Sequence, residues 1–164
     1  MGRTRFIVLA AAAGITACAT LGAVMPLRFS SPNDRSSELR LLGPSAGRPL
    51  GGAALRLWAR VENPNGFGLT LTDLEGDLFV SEAEAIAVNF PLGLPMVAYQ
   101  DTVIPLDISI GFDDLPGLAG IARDAITGRS LPYRLDGRFG VAAGALGTVR
   151  FGPLTMLQGD LRVR

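Results

Sequence analysis

The sequence predicts a mainly β protein: an antiparallel β-sandwich of about seven short strands with one short helix. Three observations lead to this fold class. Segments that alternate between apolar and polar residues recur along the chain, which is the pattern of half-buried strands. Turn residues, chiefly Gly, Pro, Asn and Asp, separate these segments. Only one stretch, just after Asp113, places apolar residues at the three- and four-residue spacing of a helix.

The clearest strand is Ala54–Glu62, which ends at the turn sequence Asn63-Pro64-Asn65-Gly66. From Leu55 onward its odd-numbered residues are apolar and its even-numbered residues are charged or, at Trp58, aromatic. Pro64 lacks an N–H and disfavours a helical backbone at Asn63, so strand pairing must stop there. Asn65 tolerates a left-handed backbone and Gly66 accepts almost any, which predicts a tight turn.

The other strands are shorter or are interrupted by turn residues. Gly76 indicates a bulge or close packing, and Pro105 indicates an edge strand or a local break in pairing. Prolines at 91 and 95 predict that Phe90–Ala98 is an apolar loop. The expected strands are, in chain order, Leu39–Leu42, Gly68–Thr72, Leu74–Val80, Ala85–Asn89, Asp101–Gly111, Leu131–Val141, Val149–Phe151 and Leu154–Val163.

One helix is expected after the Asp101–Gly111 strand. Asp113 or Asp114 is a suitable N-cap, Pro116 suits the first turn, and Gly128 suits the end. The two aspartates would also suit a cation, but helix capping accounts for both without one.

Residues 1–17 have the pattern of an export signal of the lipoprotein type. Two arginines precede an apolar stretch, and Ile15-Thr16-Ala17-Cys18 resembles a bacterial lipobox, whose cysteine is lipidated and becomes the first mature residue. We expect an exported cell-envelope protein, lipid-anchored through Cys18 at the outer membrane or the periplasmic face, with a tether over residues 18–35. Two alternatives stay open. The uncharged run from Phe6 to Met25 is long enough for an uncleaved single-pass N-terminal helix, and ordinary secretion is the other.

Composition excludes several classes of function. Apolar residues make up 48% of the chain, so it should fold rather than stay disordered. The 15 basic residues, all arginine, balance 15 acidic ones and form no run, which argues against nucleic acid as a partner. The chain has no histidine, the commonest general base and usual metal ligand, and no phosphate-loop or nucleophilic-serine motif. We therefore expect no enzyme activity, no cofactor and no metal.

Two sets of side chains are candidates for a site. Asp73, Glu75 and Asp77 share one strand face, which would suit calcium or glycoside chemistry, but alternation alone makes them the wet face of a sheet. Trp58 and Met96 are possible contact surface for a partner. The alternative for Trp58 is that the indole covers an end of the core or packs under an arginine.

The order of the motifs resembles the water stress and hypersensitive response domain of the second, folded group of late embryogenesis abundant proteins. Asn63, Pro64 and Asn65 match its signature turn, although Phe67 and Gly68 replace its usual small or polar residues. The resemblance covers roughly residues 36–160, and it implies an immunoglobulin-like or fibronectin type III-like sandwich domain over residues 36–164. The other matching segments are Leu69–Leu71, Leu92–Ile110, Phe112–Leu115 and Leu131–Gly137.

This resemblance implies a role in stress protection against desiccation, cold or freezing, or osmotic stress. The folded domain would shield partially unfolded client proteins from aggregation or inactivation by surface contact, without catalysis. The alternative is a membrane-anchored adaptor that binds one envelope protein or a lipid, because folds of this kind serve many functions.

Overall fold

The structure, a computed structural model, describes residues 24–81, 86–112 and 118–163. Within them it has eight strands and one α-helix, which confirms the mainly β fold class with one strand more than expected. Their bounds are β1 Arg28–Ser30, β2 Glu38–Leu42, β3 Gly52–Glu62, β4 Leu69–Val80, β5 Ile86–Met96, β6 Asp101–Gly111, α1 Leu118–Ile126, β7 Leu131–Ala142 and β8 Thr148–Val163.

The strands form two antiparallel layers. In the first, β3 pairs with β6 along its whole length, while β2 and β1 share its other edge, one after the other. The second layer has the order β5-β4-β7-β8. A short parallel pairing of β2 with β8, at Leu39 and Val163, joins the two layers along one side. The opposite side, where β5 and β6 are the outer strands, has no such pairing among the described residues.

A single core lies between the layers. Alternate residues of β3, β4 and β7 point into it, as the period-two pattern predicts. Phe139 is fully buried, with its ring centroid 4.9 Å from that of Phe29 and 5.3 Å from that of Phe151, so aromatic packing fastens β1 onto the second layer.

Three strands are longer than the sequence suggested. The two segments expected at Gly68–Thr72 and Leu74–Val80 form one strand, β4, with a bulge at Thr72, and the last two segments merge into β8. The expected loop at Phe90–Ala98 was wrong, because β5 continues to Met96. Pro91 and Pro95 fit there since β5 is an outer strand, where a missing N–H costs no ladder hydrogen bond. Pro105 likewise lies in the outer strand β6, as predicted.

The expected tether over residues 18–35 is wrong for its described part. Leu27 is buried, and Arg28–Ser30 pairs with β3 as strand β1. The apolar side chains at Leu27 and Phe29 explain this, because they gain burial against the core at a site where β3 has a free edge. The expected signal at 1–17, Cys18, and the capping residues Asp113 and Asp114 lie outside the described residues.

The helix ends as predicted. Gly128 has a φ of 72°, a left-handed conformation that favours glycine just past a helix C-terminus. Ile121 is buried against the core, whereas Ile126 is exposed. No helix in the described ranges is long and apolar enough to cross a membrane.

Candidate functional site

The side chains of Asn63 and Asn65 in the signature turn form a buried hydrogen-bond network, which we call the asparagine clamp. Asn63 and Asn65 are 0% and 2% exposed, so their amides must find partners within the protein. Asn63 Nδ2 donates to the backbone oxygens of Phe67 and Val97 at 3.0 and 3.1 Å. Asn63 Oδ1 accepts from the backbone N–H and the side-chain amide of Asn65, both at 3.0 Å.

Asn65 extends this clamp to the N-terminal segment. Its Oδ1 accepts from the backbone N–H of Met25 at 2.8 Å, and its Nδ2 donates to the Met25 carbonyl at 2.9 Å. The backbone of Asn63 also donates to Gln100, and Tyr99 donates to the Asn65 carbonyl. Two asparagines therefore fasten three separate segments together: the one before β1, the β3–β4 connection and the β5–β6 turn.

The turn forms without the left-handed backbone that Asn65 and Gly66 would tolerate. Neither Asn65 nor Gly66 has a positive φ; the left-handed residue is Tyr99, with a φ of 56°, in the neighbouring β5–β6 turn. Glycine is required at position 66 for space, because a Cβ there would lie 2.7 Å from the Tyr99 hydroxyl. The side chains, rather than the backbone freedom, explain why asparagine stands at both positions.

The two possible contact residues differ. The expectation for Met96 was wrong: it is 2% exposed and belongs to the core. Trp58 is half-buried and lies under Arg35, whose guanidinium carbon is 4.4 Å from the ring centroid, the arrangement that the second interpretation predicted. Neither residue is an exposed anchor for a partner.

Two members of the acidic row, Asp73 and Glu75, are paired with arginines. Arg150 of β8 lies 3.3 Å from an oxygen of Asp73 and 2.9 Å from one of Glu75, and Arg138 of β7 is 3.9 Å from Glu75. Because β7 lies between β4 and β8, the two carboxylates of β4 meet one cation from β7 and one from β8. Among the described residues, no group of three or more acidic, His or Cys side chains is suited to a metal ion.

One surface ion pair lowers the pKa of its carboxyl group. Arg56 Nε and Nη2 donate to the two carboxylate oxygens of Asp107 at 2.6 and 2.9 Å, a bidentate pair between β3 and β6. This hydrogen bonding holds the pKa of the Asp107 carboxyl below its ordinary value, despite an opposing effect of burial. The pair is well exposed, so we expect it to contribute modestly to stability.

Tyr133 forms a second internal polar contact. Its buried hydroxyl lies 3.0 Å from the Ser37 hydroxyl and 3.2 Å from that of Ser31, and Ser31 also donates to the Gln158 carbonyl. This contact ties the β1–β2 connection to the second layer. Throughout the described ranges, no buried side-chain nitrogen or oxygen lacks a hydrogen-bond partner.

Sequence reasoning missed the apolar row of β5, which packs against the core at the open side of the sandwich and is only partly covered. Its apolar residues alternate with Ala, Asn, Gly and Pro, and each apolar side chain is only half-buried. The period-two signal is present in the sequence, but the prolines at 91 and 95 hid it, although prolines are compatible with an outer strand. The row consists of Ile86, Val88, Phe90, Leu92 and Leu94.

These features define a small β-sandwich module with paired surface charges, an internal asparagine clamp and one open side. Residues 59–155 match the family model described as "Late embryogenesis abundant protein". The chain belongs to this family, in its second, folded group. The family is generally non-enzymatic. No curated protein sequence matches the chain.

One solved structure supports the fold, and two others are similar at a lower level. The solution structure of an Arabidopsis thaliana protein aligns with a TM-score of 0.52 and 14% identity, covering 78% of each chain. A solution structure described as that of a late embryogenesis abundant protein has a TM-score of 0.46 and 17% identity, covering 78% of this chain and 71% of that one. A crystal structure of an Archaeoglobus fulgidus protein has a TM-score of 0.44 and 7% identity, covering 77% and 92%.

Proposed function

We propose that this chain is a non-enzymatic stress-protection protein that shields partially unfolded proteins from aggregation or inactivation by surface contact, during desiccation, freezing or osmotic stress. Membership of the late embryogenesis abundant family supports a stress-related role. The observation that carries the surface mechanism is the open side of the sandwich, formed by the outer strands β5 and β6.

The open side combines two properties that suit an unfolded partner. The five apolar side chains of β5 are half-buried, so they retain apolar area that a client's exposed apolar segment would remove from water. Each of the two outer strands pairs on only one side in the described structure, which leaves backbone groups that an extended client segment would pair with.

The prolines of β5 limit how far such pairing extends. Pro91 and Pro95 have no N–H, so an extended segment cannot form an uninterrupted ladder along this strand. Contact with a client is therefore short and reversible, and self-association through the same edge is suppressed. A protective protein needs both properties, because it must release its clients when the stress ends.

The test is protection of a labile enzyme through drying and freeze–thaw at a near-stoichiometric ratio. We expect more enzyme activity to survive than with an equal mass of an inert protein. Phe90→Ala should weaken protection, whereas Phe151→Ala removes a phenylalanine of β8 that is also partly buried against the core and should not. Equal loss in both variants, or protection no better than the inert protein, would count against the mechanism. One saturable partner recovered by crosslinking would favour the adaptor function instead.

Attachment to an envelope membrane through lipidated Cys18 is part of the proposal. Two or more acyl chains hold a protein firmly on a bilayer, whereas one gives only reversible binding. Metabolic acyl labelling of the intact chain should be lost in Cys18→Ala. Labelling that persists in that variant would exclude this anchor.

A further inference from the structure

One end of the sandwich is built from four segments without a single charged residue: 24–27, 63–68, 97–100 and 143–147. We call them the uncharged pole. Strand register places them together. Glu62 at the end of β3 pairs with Arg28, Leu69 at the start of β4 pairs with Met96, and Thr70 pairs with Ala142 of β7.

The uncharged pole displays apolar side chains to solvent. It carries five of the nine large apolar side chains that are exposed among the described residues. Exposure of this size on loops needs an explanation, because apolar side chains clustered at one end mark a contact surface. The five are Met25 at 47%, Phe67 at 39%, Val97 at 57%, Tyr99 at 76% and Leu146 at 44%.

Three of the four segments of the pole are held by the asparagine clamp. The backbones of Met25, Phe67, Val97 and Tyr99 are each hydrogen-bonded to Asn63 or Asn65. Tyr99 stands outward on a left-handed backbone, which is uncommon for an aromatic residue and is retained mainly where surrounding structure or function requires it. The apolar tip is therefore preorganised rather than a chance feature of mobile loops.

Charges begin only one residue behind the pole, and they are paired. Arg28 lies 3.3 Å from Glu62, and Arg60 lies 3.2 Å from Asp101 and 3.7 Å from Asp34. The connections at the other end of the sandwich differ, since they carry Arg48, Asp124 and Arg129 within the described residues. The molecule thus has one apolar end, and the paired charges behind it carry no excess of positive charge.

The chain enters the domain through this same pole. Met25 is fixed to Asn65, and Cys18 lies only seven residues earlier. Seven residues of extended chain reach at most about 25 Å, so an acyl group on Cys18 would hold the uncharged pole close to the bilayer.

We propose that the uncharged pole docks into the interfacial layer of the membrane, with Tyr99 and Phe67 at headgroup depth; this inference rests on the proposed attachment through Cys18. Aromatic side chains favour this layer, and a pole without charges loses no charge hydration on entering it. Because the nearest charges are paired and carry no excess of positive charge, docking needs no anionic lipid and is insensitive to salt. The open side then stands perpendicular to the membrane, free for clients.

The test uses the full chain on vesicles of zwitterionic phosphatidylcholine that contain lipids brominated near the headgroup. Trp58→Phe removes the one native tryptophan, and Tyr99→Trp then places a probe at the pole. Leu50→Trp in the same background is the matched control, since Leu50 is similarly exposed at the other end. We expect loss of emission and a blue shift at position 99 but neither at position 50. Equal signals at both positions, or no quenching at 99, would overturn the proposal.

Two variants separate docking from mere proximity. A flexible insertion between Cys18 and Val24 should leave the quenching at 99 intact if docking is intrinsic to the pole. In a chain with the probe at Phe67 instead, Tyr99→Asn should weaken quenching without loss of folding, because asparagine tolerates the left-handed backbone. Quenching that fails with the insertion, or that falls strongly as salt is raised, contradicts docking.

The outcomes also separate this inference from the proposed function. A chain that carries the acyl label and protects an enzyme, but whose pole is not quenched, overturns docking alone. A chain that dimerises through the pole, without quenching, assigns the surface to a second copy and overturns docking as well.

Discussion

The side-chain amide of Asn65 donates a 3.0 Å hydrogen bond to Oδ1 of Asn63, and the same oxygen accepts the backbone N–H of Asn65. Both residues are almost completely buried. Their remaining hydrogen-bonding groups are directed at the Met25, Phe67 and Val97 backbones. The pair therefore holds the segments at one end of the sandwich together, and it positions the uncharged pole.

Replacing Asn65 by Ala should destabilise the protein by about 3 kcal/mol, because it removes both hydrogen bonds to the Met25 backbone and one of the two that Asn63 Oδ1 accepts. Chemical denaturation measures this change. Asn89→Ala, at an exposed position of β5, is the control and should change stability by less than about 0.5 kcal/mol. Similar losses in both variants would refute the clamp.

Gly137→Ala should cost about 3 kcal/mol, as overpacking does in a tight site. A Cβ at Gly137 would overlap the backbone of β4 at Glu75 and Gly76, where two glycines face each other across the strands. Gly120→Ala tests the opposite case: it lies in α1 with open space around it, so alanine should stabilise the helix by about 0.5–1 kcal/mol. Thermal melting distinguishes the two, and a tolerated alanine at 137 would contradict the observed close approach.

Tyr133→Phe should lower the free energy of unfolding by about 1–2 kcal/mol, because the Ser31 and Ser37 hydroxyls then lose a partner. Tyr99→Phe also removes a phenolic hydroxyl, but from an exposed ring, and should leave stability unchanged. If the two variants melt alike, the internal contact contributes nothing measurable.

The Asp107 carboxyl should add a small acid-dependent component to stability. Its pKa is lowered in the folded state, chiefly by the hydrogen bonds from Arg56. Its contribution is therefore complete above the ordinary aspartate pKa and disappears as the pH falls through the lowered value. Asp107→Asn should remove part of the stability loss on acidification, seen in denaturation curves from neutral to low pH. Unchanged curves would assign acid sensitivity to other groups.

Pro91→Val should promote self-association, because it restores an N–H donor on the free edge of β5 beside exposed apolar area. Light scattering at increasing protein concentration measures this effect. Pro44→Ala, in an exposed connection, is the control. A variant that stays monomeric would show that a feature other than proline prevents self-association through the β5 edge.

Local sequence patterns predict much of the fold. The alternation in β3, β6 and β7 predicted those strands closely, and the helix ended at Gly128 as expected. The sequence prediction divided or shortened the strands that contain prolines or bulges, because a local pattern does not show whether a strand lies at an edge. The signature turn was recognised, but its chemistry was assigned to backbone freedom rather than to side-chain hydrogen bonds.

Alternation, turn residues and composition were therefore sufficient for the class of fold, the extent of most strands and the family resemblance, since these depend on neighbours along the chain. Burial of the two asparagines, coverage of Trp58 by Arg35, and the gathering of four uncharged segments at one end required the folded chain. Each of these three features depends on contacts between residues that are far apart in sequence. Such contacts are set by how the two layers pack, which no local pattern encodes.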